Sequence, residues 1–295
     1  MNLELIKVIG LLNEAVYSYL KGESDEQGIV TVDLDGMSKL FKMKLTSVED
    51  SITNLAFLGF LFKHENSKYQ IKEHINHNNL KCGHIGSGDF IPYSFDREAL
   101  LLHGIIKRCC VSTIYRDVTW SENFSDVEYF RAWCLKQIGY REFDTNNEVF
   151  QIDKDLLSPY NRREYSEDNC VFLPRSLNSV LTRKGSKQEL PTGVSFIKDP
   201  TKTSETKKVV CEKYLINGEH GEQNDLVKHY AASITRKGVA YCLGRFSTAD
   251  AAYTAYVYAK KVALTELAEE LKGQIDPRAY HALCNFSFWF DVLNL

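Results

Sequence analysis

Asp153 and Asp155 flank Lys154 at the end of an apolar run, and Asn169 and Asn178 follow within the stretch 150–181. Carboxylate and amide oxygens gathered on so short a piece are the ligands a hard divalent cation takes. Such a cation neutralises the charge that develops on a phosphodiester under attack. Asp and Asn also bond nearby backbone N–H groups, so the same residues read as turn and cap formers. Both readings stand on the spacing alone. Phe150 to Leu181 reads as a strand, a polar turn holding Pro159 and Asn161, and a helical segment led by Ser166.

Four pieces of this stretch carry a more specific pattern. They are Ile152-Asp153-Lys154-Asp155-Leu156-Leu157, Asn161-Arg162-Arg163-Glu164-Tyr165-Ser166, Asn169-Cys170-Val171-Phe172-Leu173-Pro174, and Asn178. The string resembles the core of phage-encoded HNH (His-Me finger) endonucleases of the homing type. The resemblance implies a ββα-metal unit that cuts double-stranded DNA with Mg2+ or Mn2+. It implies Asp153, Lys154 and Asn169 as catalytic residues, with Asp153, Asp155 and Asn178 around the metal. Most HNH enzymes end the first strand on a histidine, whose near-neutral pKa suits deprotonation of the attacking water. No histidine occurs here between His103 and His220, and Asp153 stands in its place. A carboxylate of ordinary pKa, about 4, is a poorer base unless burial raises it. Three accounts stay open: Asp153 or a metal-bound water does the work, another domain supplies the base, or the unit binds DNA without cutting. The last describes a domesticated repressor.

Upstream, Asp96 to Cys110 has a helical pattern, and Trp120, Phe124, Phe130 and Trp133 recur at spacings that bury aromatics on one side. With Arg108-Cys109-Cys110 they resemble the segments that precede the core in the same family. The aromatics are expected in a core. Arg108 is expected either against a phosphate or in a surface ion pair.

The 295 residues allow two or three small domains, and their 44% apolar and 25% charged composition is that of a folded globular chain. No run of about twenty apolar residues exists, so no membrane contact is expected, and the cytoplasm of the host cell is the expected location. Eight cysteines occur without a C-x-x-C pair, which removes zinc-ribbon spacing; Cys82 and His84 have no second pair near them. The net charge of −3 hides an uneven distribution, because residues 190–262 hold 11 basic and 7 acidic side chains. Phosphate binding depends on where Lys and Arg sit, so a near-neutral total leaves DNA open as a partner.

Around the core unit the chain predicts an α+β multidomain protein. Residues 1–75 read helix, strand, helix, helix, hairpin, the order of a winged helix-turn-helix. Asp35 and Thr46 or Ser47 are candidate caps for its second and third helices. The candidate recognition helix buries Val48, Ile52, Leu55 and Leu58 and turns Glu49, Asp50, Ser51 and Asn54 outward. Lys42, Lys44, Lys63 and Lys68 supply basic flanks; the acidic face also suits a protein partner. Residues 76–94 read as a linker and 95–189 as the HNH-like unit.

Residues 190–295 read as three strands and a long alanine-rich helix capped by Thr248. Gly193-Val194, Leu243-Gly244-Arg245-Phe246-Ser247-Thr248, Ala251, Ala255 and Tyr256 resemble the ethylene-response-factor (APETALA-two) DNA-binding module that phage HNH proteins often carry. Lys198, Arg236, Lys237 and Arg245 are its candidate DNA contacts. The charged insertion 199–228 is expected to be an exposed excursion, with Lys207, Lys208 and Lys213 near DNA or solvated. Phe286, Phe288, Trp289 and Phe290 in the tail are expected to dock on the last domain or at a homodimer interface.

Overall fold

The computed structural model describes residues 10–65, 67–73, 76–81, 83–86, 89–92, 96–141, 149–158, 163–181, 190–197, 210–219, 221–222, 229–236 and 239–285. The chain is mixed α+β with several small sheets. Its contacts divide it into two compact units, Met1–Tyr140 with Ile152–Phe172, and Arg141–Gln151 with Leu173–Leu295. Among the described residues no helix is long and apolar enough to cross a membrane.

The first unit opens with α1 (Leu11–Glu23), β1 (Ile29–Thr31), α2 (Leu34–Phe41), α3 (Leu45–Phe57) and the hairpin β2 (Leu61–Glu65) and β3 (Lys68–Ile71). The three strands form one antiparallel sheet with β3 in the centre. Asp33, rather than Asp35, caps α2 by accepting from the Gly36 N–H at 3.0 Å. Lys44 occupies the position before α3, so neither Thr46 nor Ser47 caps it. Val48, Ile52, Leu55 and Phe57 are fully buried, each contributing roughly 1.5–3 kcal/mol by leaving water.

Residues 76–94, expected as a linker, hold a short helix α4 (His77–Lys81) and the hairpin β4 (Gly83–Gly86) and β5 (Asp89–Pro92). Asn79 anchors α4: its amide donates to the carbonyls of Phe57 (2.5 Å) and Ser125 (2.7 Å), and its Oδ1 accepts from the Val127 N–H. Next comes α5 (Arg97–Val111), capped by Asp96, which accepts from the Ala99 N–H. It packs along α3 and covers the face expected to meet solvent. Ser51 and Asn54 are therefore buried, Asn54 bonds His103 at 3.2 Å, and Asp50 pairs with Lys107 at 2.8 Å. That is a correction: the outer face of the candidate recognition helix is an internal packing surface along its second half.

β6 (Thr119–Trp120) pairs in parallel with β8 (Glu164–Tyr165), and β7 (Gln151–Asp153) pairs with β9 (Val171–Leu173). Asp126 caps α6 (Val127–Cys134) by accepting from the N–H groups of Glu128 and Tyr129. Phe124, Phe130, Trp133 and Phe172 pack ring to ring with centroids 4.9–5.9 Å apart, and Trp120 is buried with its indole N–H on Ser125 Oγ. The aromatic series is core, as its spacing predicts.

The second unit contains α7 (Arg175–Leu181), the antiparallel sheet β10 (Val194–Phe196), β11 (Tyr230–Arg236) and β12 (Val239–Phe246), then α8 (Ala249–Glu270) and α9 (Pro277–Cys284). Thr248 caps α8, its Oγ1 accepting from the Ala251 N–H at 3.1 Å. Ala252, Ala255, Ala259 and Ala263 lie on the buried face of α8, and small side chains there let the helix sit close on Val194, Ala232, Ile234, Leu243 and Phe246. The middle of the insertion is anchored rather than free, because Tyr214 and Leu215 enter this core. Lys213 pairs with Glu266 at 2.6 Å; Lys207 and Lys208, like Cys82 and the tail aromatics, lie outside the described residues.

Gly193 has φ +83°, and a Cβ there would fall 2.0–2.4 Å from ring carbons of Tyr256. Gly193→Ala combines a left-handed backbone with overpacking, so a loss of about 2 kcal/mol is expected in thermal or urea unfolding of the second unit. An unchanged midpoint would mean that the strand start and the ring do not meet.

Candidate functional site

Asp153 ends β7 where the chain turns, and its Oδ1 accepts from the N–H groups of Asp155 (3.1 Å) and Leu156 (2.8 Å). This is an Asx-type turn, favoured because Asp can take over backbone donors that the strand no longer pairs. The residue is only 6% exposed, and burial pushes its carboxyl up to about 6 against the opposing pull of the two backbone N–H groups. A carboxyl at that value can exchange a proton near neutral pH.

Lys154 lies across the same turn. Its side chain is 7% exposed, its ammonium bonds the largely exposed Asp155 carboxylate, and it sits 5.4 and 5.6 Å from the ring centroids of Tyr115 and Tyr165. Asn169, also buried, donates to the Glu164 carbonyl at 3.3 Å and so ties the loop before β9 to β8. Asn178 belongs to the second unit and donates to Gln151 Oε1 at 3.4 Å. Asp153, Lys154 and Asp155 thus form one local group. Asn161 and Pro159 of the adjoining turn lie outside the described residues.

This group suits an internal ion pair better than Mg2+ or Mn2+. An ammonium already holds one carboxylate, two N–H groups share the other, and a hard cation needs about six oxygens free to turn toward it. Among the described residues no three His, Cys, Asp or Glu side chains converge as metal ligands.

Other side chains that could supply chemistry are tuned away from it. Burial holds His103 down to about 4, and burial pushes the Cys109 and Cys110 thiols up to about 12 and about 11. His103 is therefore a weak base, and neither thiol is a nucleophilic thiolate at neutral pH. Cys109, Cys134 and Cys170 are buried.

The candidate DNA contacts separate sharply. Lys42 and Lys44 are exposed at the junction of α2 and α3. Lys63 is a correction: it is 2% exposed, and its ammonium donates to the carbonyls of Cys109 (2.5 Å), Arg116 (2.8 Å) and Val118 (3.1 Å). Arg236 is a second correction. Its guanidinium is buried against α8, donating to Ala263 O (3.2 Å) and pairing with Glu270 (2.9 Å) and Glu266 (3.4 Å). Arg245 alternates with the core residue Phe246, so it stands on the sheet face opposite α8, in register with Ala231. Lys198 and Lys237 lie outside the described residues.

Sequence spacing missed one grouping. Arg108, in the last turn of α5, donates from Nε to the Tyr165 hydroxyl at 3.3 Å, with its guanidinium carbon 5.7 Å from that ring's centroid. Arg108 and Lys154 thus share one tyrosine, although they are far apart in the chain. No family model, curated protein or solved structure matches the chain.

Proposed function

We propose that this chain is a sequence-specific double-stranded-DNA-binding protein of HNH homing-endonuclease descent that holds its duplex without cutting it. The observation that carries this reading is the Lys154 ammonium on Asp155, which puts a fixed internal cation where the nuclease pattern calls for a divalent one. A non-cutting unit of this kind acts as a regulator, occupying a site that other proteins would use.

Two further features support DNA as the partner. The element order from α1 to β3 is that of a winged helix, with Lys42 and Lys44 exposed beside α3. Because α5 covers much of α3, its exposed first turn and the hairpin are the parts of this domain left to touch a duplex. In the second unit, Gly193 and Tyr256, two residues on which the ethylene-response-factor resemblance rests, pack together. The opposite sheet face carries Ser195, Ala231, Ser233 and Arg245, small side chains around one guanidinium. A narrow sheet of that kind fits a major groove, where Arg reads guanine edges.

A second reading, metal-dependent cleavage, is favoured by one observation, the Asp153 carboxyl held at about 6. Incubating the protein with phage and host DNA fragments, with and without Mg2+ or Mn2+, separates the two. The expected result is a salt-sensitive shift of a subset of fragments, weakened by Arg245→Ala, with no strand broken. Metal-dependent cuts lost in Asp155→Ala would establish the nuclease instead. No shift of any fragment would remove DNA as the partner, and a twofold-symmetric footprint would add a second copy of the chain.

A further inference from the structure

We propose that Arg108, backed by Tyr165 and Lys154, is the seat for a single phosphodiester group on the first unit. The inference rests on the DNA-binding reading for the identity of its ligand, but its geometry stands apart from it.

Three cations gather at the end of α5 and the start of the β7 turn. Lys63 spends its charge on backbone carbonyls, and Lys154 is paired with Asp155. Arg108 is different. It is half-buried, its Nε is held by the Tyr165 hydroxyl, and among the described residues no carboxylate lies within ion-pair distance of it. One of the five guanidinium N–H donors is thereby used, leaving four in the planar fork. A partly desolvated guanidinium without a counter-ion is costly unless an external anion completes it.

The fork fits two oxygens of a tetrahedral phosphate, and the tyrosine bond fixes the plane in which it presents them. Lys154, 5.6 Å from the same ring, does not compete for the ligand, because Asp155 holds its ammonium. Asp153, next to Lys154 in the chain, is a carboxylate whose ionised form is disfavoured by burial. The same chemistry would take free inorganic phosphate or one backbone phosphate of a duplex. A phosphate so held fixes register rather than sequence.

The test follows the Arg108 side-chain N–H signals by NMR in the full chain while inorganic phosphate, dimethyl phosphate or a binding duplex is added. Duplex affinity is measured in parallel against salt for wild type, Arg108→Gln and Arg108→Lys. The expected result is a saturable shift of the Arg108 Nε–H signal with duplex. Arg108→Gln should bind all duplexes more weakly by a similar factor, and its log–log salt slope should fall by about 0.9, the loss of one phosphate contact. Arg108→Lys should keep most of the slope but lose the fixed fork, giving intermediate affinity.

Duplex binding with unchanged slope and a still Arg108 signal would overturn the seat while leaving the DNA reading intact. A shift with phosphate and dimethyl phosphate in a protein that binds no duplex would keep the seat and overturn the DNA reading. If Arg108→Gln fails to fold, the wild-type NMR titration and Arg108→Lys decide.

Discussion

Lys63→Met is expected to destabilise the first unit by about 3 kcal/mol or more, because it strips the donor from at least three carbonyls that face one buried ammonium. Methionine keeps the stem volume, so a change in packing contributes little. What it removes is the set of bonds to Cys109, Arg116 and Val118. Those carbonyls come from the end of α5 and the loop that leads to β6, where the backbone has run out of helical partners. The ammonium on β2 therefore closes a loop that would otherwise hold unsatisfied acceptors beside the Trp120 ring. Urea unfolding followed by tryptophan fluorescence, to which the buried Trp120 and Trp133 contribute, measures the effect. An unchanged midpoint would show that water reaches the carbonyls equally well. Lys63→Arg serves as a second variant, since it retains charge and donors but must place a wider planar head in the same space.

The same residue shows where sequence reading stops. In FLFKHE the lysine occupies a wing-like strand, and every local rule sends its charge outward. It points inward because a loop some fifty residues later presents its carbonyls there, and that is a tertiary fact. Ser51 and Asn54 repeat the lesson on α3: their spacing marks a polar face, and only the docking of α5 turns that face into an interface. Spacing marks Arg236 as a groove contact, whereas Glu266 and Glu270, one helical turn apart on α8, hold its guanidinium. In contrast, the aromatic series from Trp120 to Trp133, the cap at Thr248, and the three strands followed by the alanine-rich helix were legible. Each depends on periodicity or on a bond reaching three residues along the chain. The Asp153-Lys154-Asp155 group was legible as a location. Its internal ion pair was not, because spacing leaves open whether Lys154 turns toward solvent or back onto its neighbour.

Asp153→Asn is expected to change the pH dependence of stability more than any other substitution in that group. Burial holds the folded carboxyl at about 6, above its ordinary 3.8. Between those two values the folded chain binds more protons than the unfolded one, so stability must fall as pH rises through that window. Below it both states are protonated and the site costs nothing; above about pH 6 the cost of burying the ionised group is complete. A shift of about two units corresponds to about 2–3 kcal/mol. Asparagine keeps an Oδ1 acceptor for the Asp155 and Leu156 N–H groups while removing the charge, so the turn survives. The variant should therefore match wild type near pH 4 and exceed it by about 2–3 kcal/mol at pH 7, measured as the difference in urea-unfolding free energy at each pH. A constant difference across that range would mean that the carboxylate is better solvated, or better paired with Lys154, than its burial implies. On the proposed non-cutting reading, a carboxylate kept at such a cost is explained by the turn it organises. If Asp153→Asn gains stability and retains full duplex affinity, the non-cutting reading is strengthened. If it gains stability but loses metal-dependent strand breakage, the cost was being borne for catalysis.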